Sequence, residues 1–300
     1  MDELTAAGIA DPSLRASYSE CKRLNALHGK TYFLATLLLP KAKRPFVHAL
    51  YGFARFADEI VDDLASQLSI EEKARALSNW GNNVLLDLRR GFSEDLVGGA
   101  LIDTVNRFAI PHEYFEAFLH SMTMDLTVQE YETFDDLMEY VYGSAAVIGL
   151  EMAPILGFSD VAALESAKKL GIAFQLANFI RDVDEDLDRG RIYLPIQELA
   201  LHGVTREMLE ARVLTPQIID ALKFQIARVR ELQAQAAPGI DLLDASSRPC
   251  IEAASQLYCG IVDEVEKIGY DIFNRRAKTS TTRRLRVAGA AFLKRQFVSS

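Results

Sequence analysis

The stretch QLANFIRDVDEDLD, residues 175–188, carries two aspartates, Asp182 and Asp186, four residues apart among apolar side chains. On a helix this spacing stacks both carboxylates on one face, about one turn apart. A second stretch, YGFARFADEIVDD at residues 51–63, repeats the spacing with Asp58 and Asp62. Like charges placed this way weaken a helix by roughly 0.2–0.5 kcal/mol per pair. Two such pairs in apolar helices therefore predict a bound cation that balances the carboxylates.

The apolar residues around both stretches recur every three or four positions, which is the period of an amphipathic helix. The pattern continues along nearly the whole chain, and strand-like alternation is scarce. We expect the first acidic stretch on a helix over residues 44–64, and the second on a helix over residues 160–188 capped by Ser159 and Asp160. Short loops between helices predict one all-α bundle. It would be a single domain over residues 1–300 with a central cavity between the two acidic helices.

Capping residues and prolines predict further helix boundaries. Ser69 followed by Glu72 is the pattern of a capping box at a helix start. Asp188, which precedes a glycine by two residues, is expected to end the second acidic helix. Prolines favour the first turn of a helix, so we expect helices to start at Pro45, Pro111, Pro216 and Pro238.

The side chains on the two acidic faces narrow the choice of cation and ligand. Oxygen ligands without His or Cys favour Mg²⁺, with Mn²⁺ as the alternative, bound by a few carboxylates and by substrate phosphates. Gln175 and Asn178 extend the second face, and Tyr51 and Arg55 extend the first. Arg55 can pair with Asp58 or bind a phosphate through two parallel hydrogen bonds. The alternative is a network of salt bridges to nearby arginines, in a helical scaffold without catalysis.

Composition and motifs disfavour several classes of protein. With 49% hydrophobic and 25% charged residues, the 300-residue chain has the composition of a globular protein with a sizeable core. Its net charge of −9 argues against nucleic acid as a partner. No GxGxxG, P-loop or GxSxG motif occurs, and the five histidines show no metal-ligand spacing. The two acidic faces therefore remain the strongest chemical signal.

Cysteines and charge distribution indicate the compartment. Cys21, Cys250 and Cys259 show no CxxC pattern and are expected as buried thiols in a reducing environment. The acidic N-terminus lacks an apolar run, and no stretch reaches the roughly 18 apolar residues of a membrane span, so we expect a cytoplasmic protein. From Arg275 to Arg295 the chain is basic without Asp or Glu. This segment fits either a solvated helix face or attraction to a diphosphate or to the inner face of the cell membrane.

Taken together, these motifs resemble the squalene and phytoene synthase family, and within it most closely the bacterial phytoene synthases. The matching stretches are HGKTYF at 28–33, ALYGFAR at 49–55 with the first acidic motif, MDL at 124–126, YVYG at 140–143 and, most specifically, residues 175–195. The resemblance covers nearly the whole chain. It implies an all-α isoprenoid synthase fold.

The resemblance implies head-to-head condensation of two geranylgeranyl diphosphates to phytoene, through a cyclopropylcarbinyl diphosphate, in carotenoid biosynthesis. The alternative within the same fold is a squalene or dehydrosqualene synthase that uses farnesyl diphosphate, because the choice of chain length depends on cavity depth. The implied partners are prenyl diphosphates and a downstream desaturase. A forty-carbon hydrocarbon product leaves poorly into water, so peripheral membrane contact is also expected.

The resemblance assigns roles to individual residues. The positions that match metal ligands are Asp58, Asp62, Asn178, Asp182 and Asp186. The positions that match diphosphate contacts are Arg55, Tyr193 and Arg275. The remaining substrate-pocket positions are His28, Lys30, Thr31, Tyr51, Gln175 and Tyr258. The four aspartates, Arg55 and Tyr51 are the expected catalytic residues.

Two positions depart from the family pattern. Many relatives carry serine where this chain has Gly29, so a hydroxyl that contacts diphosphate is either missing or supplied by Thr31. Asp184 replaces a frequent glycine, and its added charge would alter the second metal site.

Overall fold

The computed structural model describes residues 1–62 and 68–298, with the side chains of all of these except Lys30, Thr31, Asp62 and residues 295–298. This part of the chain contains no strand and only two isolated β-bridges. Its helices are α1 (Glu3–Ala6), α2 (Pro12–His28), α3 (Lys30–Thr36), α4 (Arg44–Asp62), α5 (Ile70–Arg90), α6 (Leu96–Phe108), α7 (His112–Thr127), α8 (Phe134–Val141), α9 (Val147–Leu156), α10 (Ala162–Asp188), α11 (Ile196–Leu201), α12 (Arg206–Glu210), α13 (Pro216–Ile240), α14 (Arg248–Tyr258), α15 (Ile261–Lys267) and α16 (Thr281–Val298). The predicted all-α class is confirmed.

Several helix starts follow from local sequence as predicted. The Ser69 hydroxyl accepts from the Glu72 backbone N–H, and the Glu72 carboxylate accepts from the Ser69 N–H, which completes the capping box of α5. Pro216 is the first residue of α13. Pro45 is the second residue of α4, and Pro111 directly precedes α7. These boundaries need only local hydrogen bonds and a fixed proline φ.

The prediction that a helix starts at Pro238 is wrong. Pro238 lies inside α13, which continues to Ile240. A proline at this position removes one backbone hydrogen bond to the preceding turn, which weakens the helix without ending it. Close packing also holds the turn in place, because a Cβ on Gly239 would lie 2.1 Å from the Cβ of Ser166 on α10. Tertiary packing therefore overrides the local signal.

The two acidic helices match their predicted ranges apart from their ends. α10 begins at Ala162, whose N–H donates to the Asp160 carboxylate at 2.8 Å. Ser159 does not cap this helix, because its hydroxyl donates to the carbonyl of Leu242 at 3.1 Å. α10 ends at Asp188 as predicted. The described part of α4 ends at residue 62, so the two further residues predicted for this helix lie outside the described ranges.

α10 is the central element and packs against α9, α13, α14 and α15. A single π-helical turn, Tyr142–Ala146, joins α8 to α9 and lies between α7 and α10. Two glycines permit this approach. A Cβ on Gly143 would lie 2.0 Å from the carbonyl oxygen of Ala117, and one on Gly171 would lie 2.5 Å from that of Ala145. The close packing sets the π turn beside the interior cavities.

The structure bears on two further predictions. Cys21, Cys250 and Cys259 are free thiols and all three are buried, as predicted. Within residues 1–62 and 68–298, no helix combines the length and the apolar character that crossing a membrane requires. The predicted central cavity is present, and α4 and α10 both contribute to its wall.

Candidate active site

A cavity of about 540 Å³ lies between α4, α7 and α10. It brings together seven side chains that the sequence placed on the two acidic faces, namely Tyr51, Arg55, Asp58, Gln175, Asn178, Asp182 and Asp186. Tyr193, from the segment after α10, also lines it. Residues about 120 positions apart thus face one space, as expected for two acidic helices of one bundle.

Other predicted site residues lie elsewhere. Tyr258 lines a second, apolar cavity. His28 and Arg275 are exposed and line neither cavity. The side chains of Lys30, Thr31 and Asp62 lie outside the described part of the structure. The diphosphate roles of His28 and Arg275 therefore stay predictions without support from cavity geometry.

Asp58 and Asp182 both pair with arginines, to different extents. Asp58 accepts from Arg55 at 3.0 Å, and half of its side chain is exposed. Asp182 is 17% exposed and contacts two guanidinium groups. Arg181 donates to both of its carboxylate oxygens, through Nε at 2.7 Å and through Nη2. Arg276 donates to Oδ1 at 3.0 Å.

Asp186 lies deeper and is less well neutralised. Burial, and then the nearby charge of Asp182, raise its pKa to about 7. Arg189 and Arg191 oppose this rise, with the Arg189 Nη1 at 3.9 Å from Asp186 Oδ1. A carboxyl group with this pKa gains from any additional cation that reaches it.

A hydrogen-bond network around Asp125 supports one wall of the cavity. Tyr140 donates to Asp125 Oδ2 at 2.8 Å, and Tyr193 donates to Oδ1 at 2.7 Å. Arg191 donates to the Asp125 backbone carbonyl at 2.6 Å. Burial raises the pKa of both tyrosines, so both phenols stay protonated donors. The Tyr193 ring stacks on Phe179 at a centroid distance of 4.2 Å.

Sequence reasoning did not find this network. Among the sequence predictions, Asp125 appeared only within a segment that matches the family, and Tyr193 appeared only as a diphosphate contact. The partners are 15 and 68 residues from Asp125 in sequence, so no helical spacing could join them. Arg276 was likewise noted only as part of the basic segment.

The oxygen donors fit a hard metal ion. Asn178, Asp182 and Asp186 share one face of α10, and the Asn178 Oδ1 is buried without a hydrogen-bond partner. Asp58 lines the same cavity from α4. Among the described side chains, no three His, Cys, Asp or Glu residues are already grouped closely enough to hold a metal. A metal would therefore draw these oxygens together and displace guanidinium groups.

The two departures from the family pattern have structural consequences. A Cβ on Gly29 would lie 2.7 Å from the Tyr51 ring and 2.6 Å from Asn25 Oδ1. A serine at this position therefore requires Tyr51 or Asn25 to move. Asp184 pairs with Arg212 at 3.2 Å and does not line the cavity. Its extra charge is thus balanced outside the site.

The second cavity has a volume of about 240 Å³ and lies beside the first. Four residues line both spaces, namely Tyr32, Ser144, Ile148 and Gln175. Small side chains such as Ala153, Ala167 and Gly171 form much of its wall. The two cavities are therefore adjacent, one lined by charged side chains and the other largely apolar.

Comparison with known proteins agrees with this arrangement. The family model described as squalene/phytoene synthase matches residues 26–283. The chain is 35% identical over 285 residues to 15-cis-phytoene synthase of Synechococcus elongatus, covering 91% of each protein. It is 37% identical over 298 residues to the chloroplastic phytoene synthase 3 of Zea mays, covering 97% of this chain and 68% of that protein.

Solved structures give the same result. A dehydrosqualene synthase in complex with a ligand superposes with a TM-score of 0.86 at 27% identity, and the match covers all of both chains. A squalene synthase from Alicyclobacillus acidocaldarius has a TM-score of 0.80 at 24% identity, covering 88% of this chain and 98% of that one, and supports the fold alone. The chain belongs to the squalene/phytoene synthase family.

Proposed function

We propose that this protein is a prenyltransferase that condenses two geranylgeranyl diphosphates head to head to phytoene, for carotenoid biosynthesis. The observation that carries the proposal is that the charged cavity lies directly beside the apolar one and shares four wall residues with it. A diphosphate head group fits beside arginines and carboxylates, while its hydrocarbon chain fits the apolar space. Relatives named phytoene synthase, 35–37% identical over nearly the whole chain, favour the twenty-carbon substrate.

The charged end binds and activates the diphosphate. The Arg55 Nε is buried without a hydrogen-bond partner, so this guanidinium can donate a hydrogen bond to a phosphate oxygen while its Nη1 donates to Asp58. Arg181 and Arg189 line the same space. We propose that Asp58, Asp62, Asn178, Asp182 and Asp186 hold Mg²⁺, or Mn²⁺ in its place. The bound ion would supply positive charge that stabilises the departing diphosphate.

The apolar end protects the allylic cation left when the first diphosphate departs. An apolar wall excludes water that would otherwise react with the cation, and aromatic ring faces stabilise its positive charge. Tyr258 stacks on Phe174 at 4.9 Å, and Tyr32 lies 5.6 Å from Tyr51 between centroids. In this environment the double bond of the second prenyl diphosphate attacks the cation, and loss of a proton closes the cyclopropane ring of the cyclopropylcarbinyl diphosphate. Loss of its diphosphate, rearrangement and loss of a proton then give the hydrocarbon.

A second candidate substrate is farnesyl diphosphate. It is favoured by the superposition on a dehydrosqualene synthase over the full length of both chains. The two candidates share the same chemistry and differ in the length of chain that the apolar cavity accepts.

A product assay tests both candidates. Purified protein is incubated with Mg²⁺ and either geranylgeranyl or farnesyl diphosphate, and the hydrocarbon is identified by mass spectrometry. We expect a forty-carbon product that disappears when EDTA removes the metal. A thirty-carbon product alone would mean that the substrate is farnesyl diphosphate instead of geranylgeranyl diphosphate. Absence of any hydrocarbon with both substrates would favour a scaffold held together by salt bridges.

We also propose peripheral contact with the inner face of the cell membrane, where a downstream desaturase could take up the product. On α16, Leu285, Phe292 and Leu293 are exposed. Arg284 and Arg286 lie on the same helix. Each basic residue near an anionic surface contributes about 1 kcal/mol, and salt screens this attraction.

Sedimentation with phosphatidylglycerol vesicles tests the membrane contact. We expect binding at low salt that weakens at high salt, and that the double variant Arg284→Glu, Arg286→Glu weakens about tenfold or more. The double variant Arg89→Glu, Arg90→Glu on α5 makes the same change of net charge on another exposed face and should bind like the wild type. Equal losses in both double variants would contradict a role specific to α16.

A further inference from the structure

The segment between α15 and α16 brings one arginine onto the second acidic motif. Arg276 Nη2 lies 3.0 Å from Asp182 Oδ1, and its Nη1 lies 2.5 Å from Glu185 Oε1. Arg276 is 94 residues from Asp182 in sequence. The family pattern would place the neighbouring Arg275 at the diphosphate; both arginines are exposed and line neither cavity, and Arg276 is the one that contacts the acidic motif.

Packing and hydrogen bonds fix this segment on both sides of Arg276. Before it, the Asp271 carboxylate accepts from the Asn274 side chain at 2.9 Å. After it, Ala277 is buried. Arg283, near the start of α16, donates to Asp263 at 2.9 Å and to Glu264 at 2.8 Å. The backbone at Arg276 is therefore held in place, and the long side chain is the part that can move.

The contacts of Asp182 make Arg276 a competitor of any metal ion. Both carboxylate oxygens of Asp182 already accept from Arg181, and Oδ1 also accepts from Arg276. A metal ion needs one of these oxygens. Arg181 adjoins Asp182 on α10 and is largely buried, whereas 43% of the Arg276 side chain is exposed. Breaking the contact of Asp182 with Arg276 therefore costs less free energy than breaking its contact with Arg181.

We propose that Arg276 is a positioning residue that neutralises Asp182 in the free enzyme and exchanges this carboxylate for diphosphate when metal binds. The inference rests on the proposed function only in treating Asp182 as a metal ligand. Charges stay balanced in this exchange, because the Asp182 carboxylate binds the metal ion while the released Arg276 guanidinium binds the incoming phosphates. Metal alone therefore binds weakly, and metal and diphosphate bind with positive coupling.

Titration with Mn²⁺ alone, followed by electron paramagnetic resonance of the free ion, tests the competition without any turnover. In Arg276→Ala we expect the Mn²⁺ dissociation constant to fall about three- to fivefold, as expected for loss of a partly exposed ion pair. Arg276→Lys should restore the weaker binding of the wild type. Arg212→Ala is the matched control, because Arg212 pairs with Asp184 and Asp188 on the same helix and lines neither cavity.

A second titration, with inorganic diphosphate as the probe, tests the exchange. Diphosphate should tighten Mn²⁺ binding in the wild type and in Arg212→Ala, and tighten it less in Arg276→Ala. Three results would overturn the proposal: Mn²⁺ affinity unchanged in Arg276→Ala, the same gain in Mn²⁺ affinity in Arg212→Ala as in Arg276→Ala, or diphosphate tightening Mn²⁺ binding as much in Arg276→Ala as in the wild type. The product assay is independent of these titrations. A thirty-carbon product would change the proposed substrate but would not change the expected Mn²⁺ affinities.

Discussion

The two acidic helices carry the same four-residue spacing of aspartates but place it in different surroundings. On α4, the Asp58 side chain is 50% exposed and pairs with Arg55 of its own helix. On α10, Asp182 and Asp186 are 17% and 10% exposed. The α10 site also uses arginines from other segments, Arg276 among them. Equal sequence patterns can therefore differ in how strongly burial penalises their charge.

The position of each helix explains the difference. α10 is surrounded by α9, α13, α14 and α15, so charges on it lie in a poorly solvated environment. α4 packs mainly on α2 and α6, and its carboxylate end carries the half-exposed Asp58. We therefore expect the α10 carboxylates to bind metal more strongly and to cost more stability in its absence.

The largest expected effect comes from neutralising one ligand on each helix. Asp182→Asn and Asp58→Asn should each lower kcat by about 10²–10³-fold, because each removes charge stabilisation from the departing diphosphate. The loss should be greater for Asp182→Asn. Steady-state kinetics at saturating substrate and Mg²⁺ measure it, and circular dichroism checks that both variants fold. Normal turnover in both variants would contradict the assignment of Asp58 and Asp182 as metal ligands.

The pH dependence of stability tests the burial of Asp186. Its folded pKa of about 7 lies above the usual 3.8, so the protonated carboxyl favours the folded state. This contribution is complete below about pH 4 and is lost as pH rises through about 7. In EDTA, the free energy of unfolding of Asp186→Asn should therefore exceed that of the wild type by about a few kcal/mol at pH 8, and by little at pH 4.

Thermal unfolding of the metal-free protein across this pH range measures the effect of Asp186→Asn. Asp220→Asn, which removes an exposed carboxylate on α13, is the control for the loss of one negative charge. Parallel pH curves for the wild type and Asp186→Asn would contradict the assignment.

A smaller effect is expected at Arg55. Arg55→Lys keeps the charge but loses the planar fork, so a phosphate can no longer be bound through two parallel hydrogen bonds. We expect kcat/KM to fall about tenfold with the fold unchanged. Unaltered kinetics would mean that Arg55 serves only its ion pair with Asp58 on α4.

Glu151 shows what burial does to a carboxyl group without an arginine. It is fully buried on α9, and neither of its oxygens has a hydrogen-bond partner. Burial raises its pKa well above the usual range, so it is a neutral acid. Glu151→Met should stabilise the protein by about 1–2 kcal/mol at pH 7, by removing an unpartnered polar group. Urea unfolding measures this, and Glu151→Gln, which keeps the polarity, should bring no comparable gain.

Patterns within one helix were predictable from the sequence. The capping box at Ser69, the end of α10 at Asp188 and the shared faces of the aspartates all depend on residues within about four positions of one another. Local propensity failed at Pro238, where packing of Gly239 against Ser166 keeps the chain helical. The facing of the two acidic helices across one cavity was expected from the all-α bundle, and the resemblance to a known family assigned roles to their side chains.

An all-α chain with two acidic helix faces was predictable from the sequence, because helical periodicity and capping are local properties of neighbouring residues. Which arginines balance which aspartates depends on the tertiary fold, in which Arg276 contacts Asp182 from 94 residues away. It also decided that Tyr140 and Tyr193 meet at Asp125. Burial, and with it each carboxyl group's affinity for protons, arginine or metal, depends on neighbours that packing brings together and that local spacing does not encode.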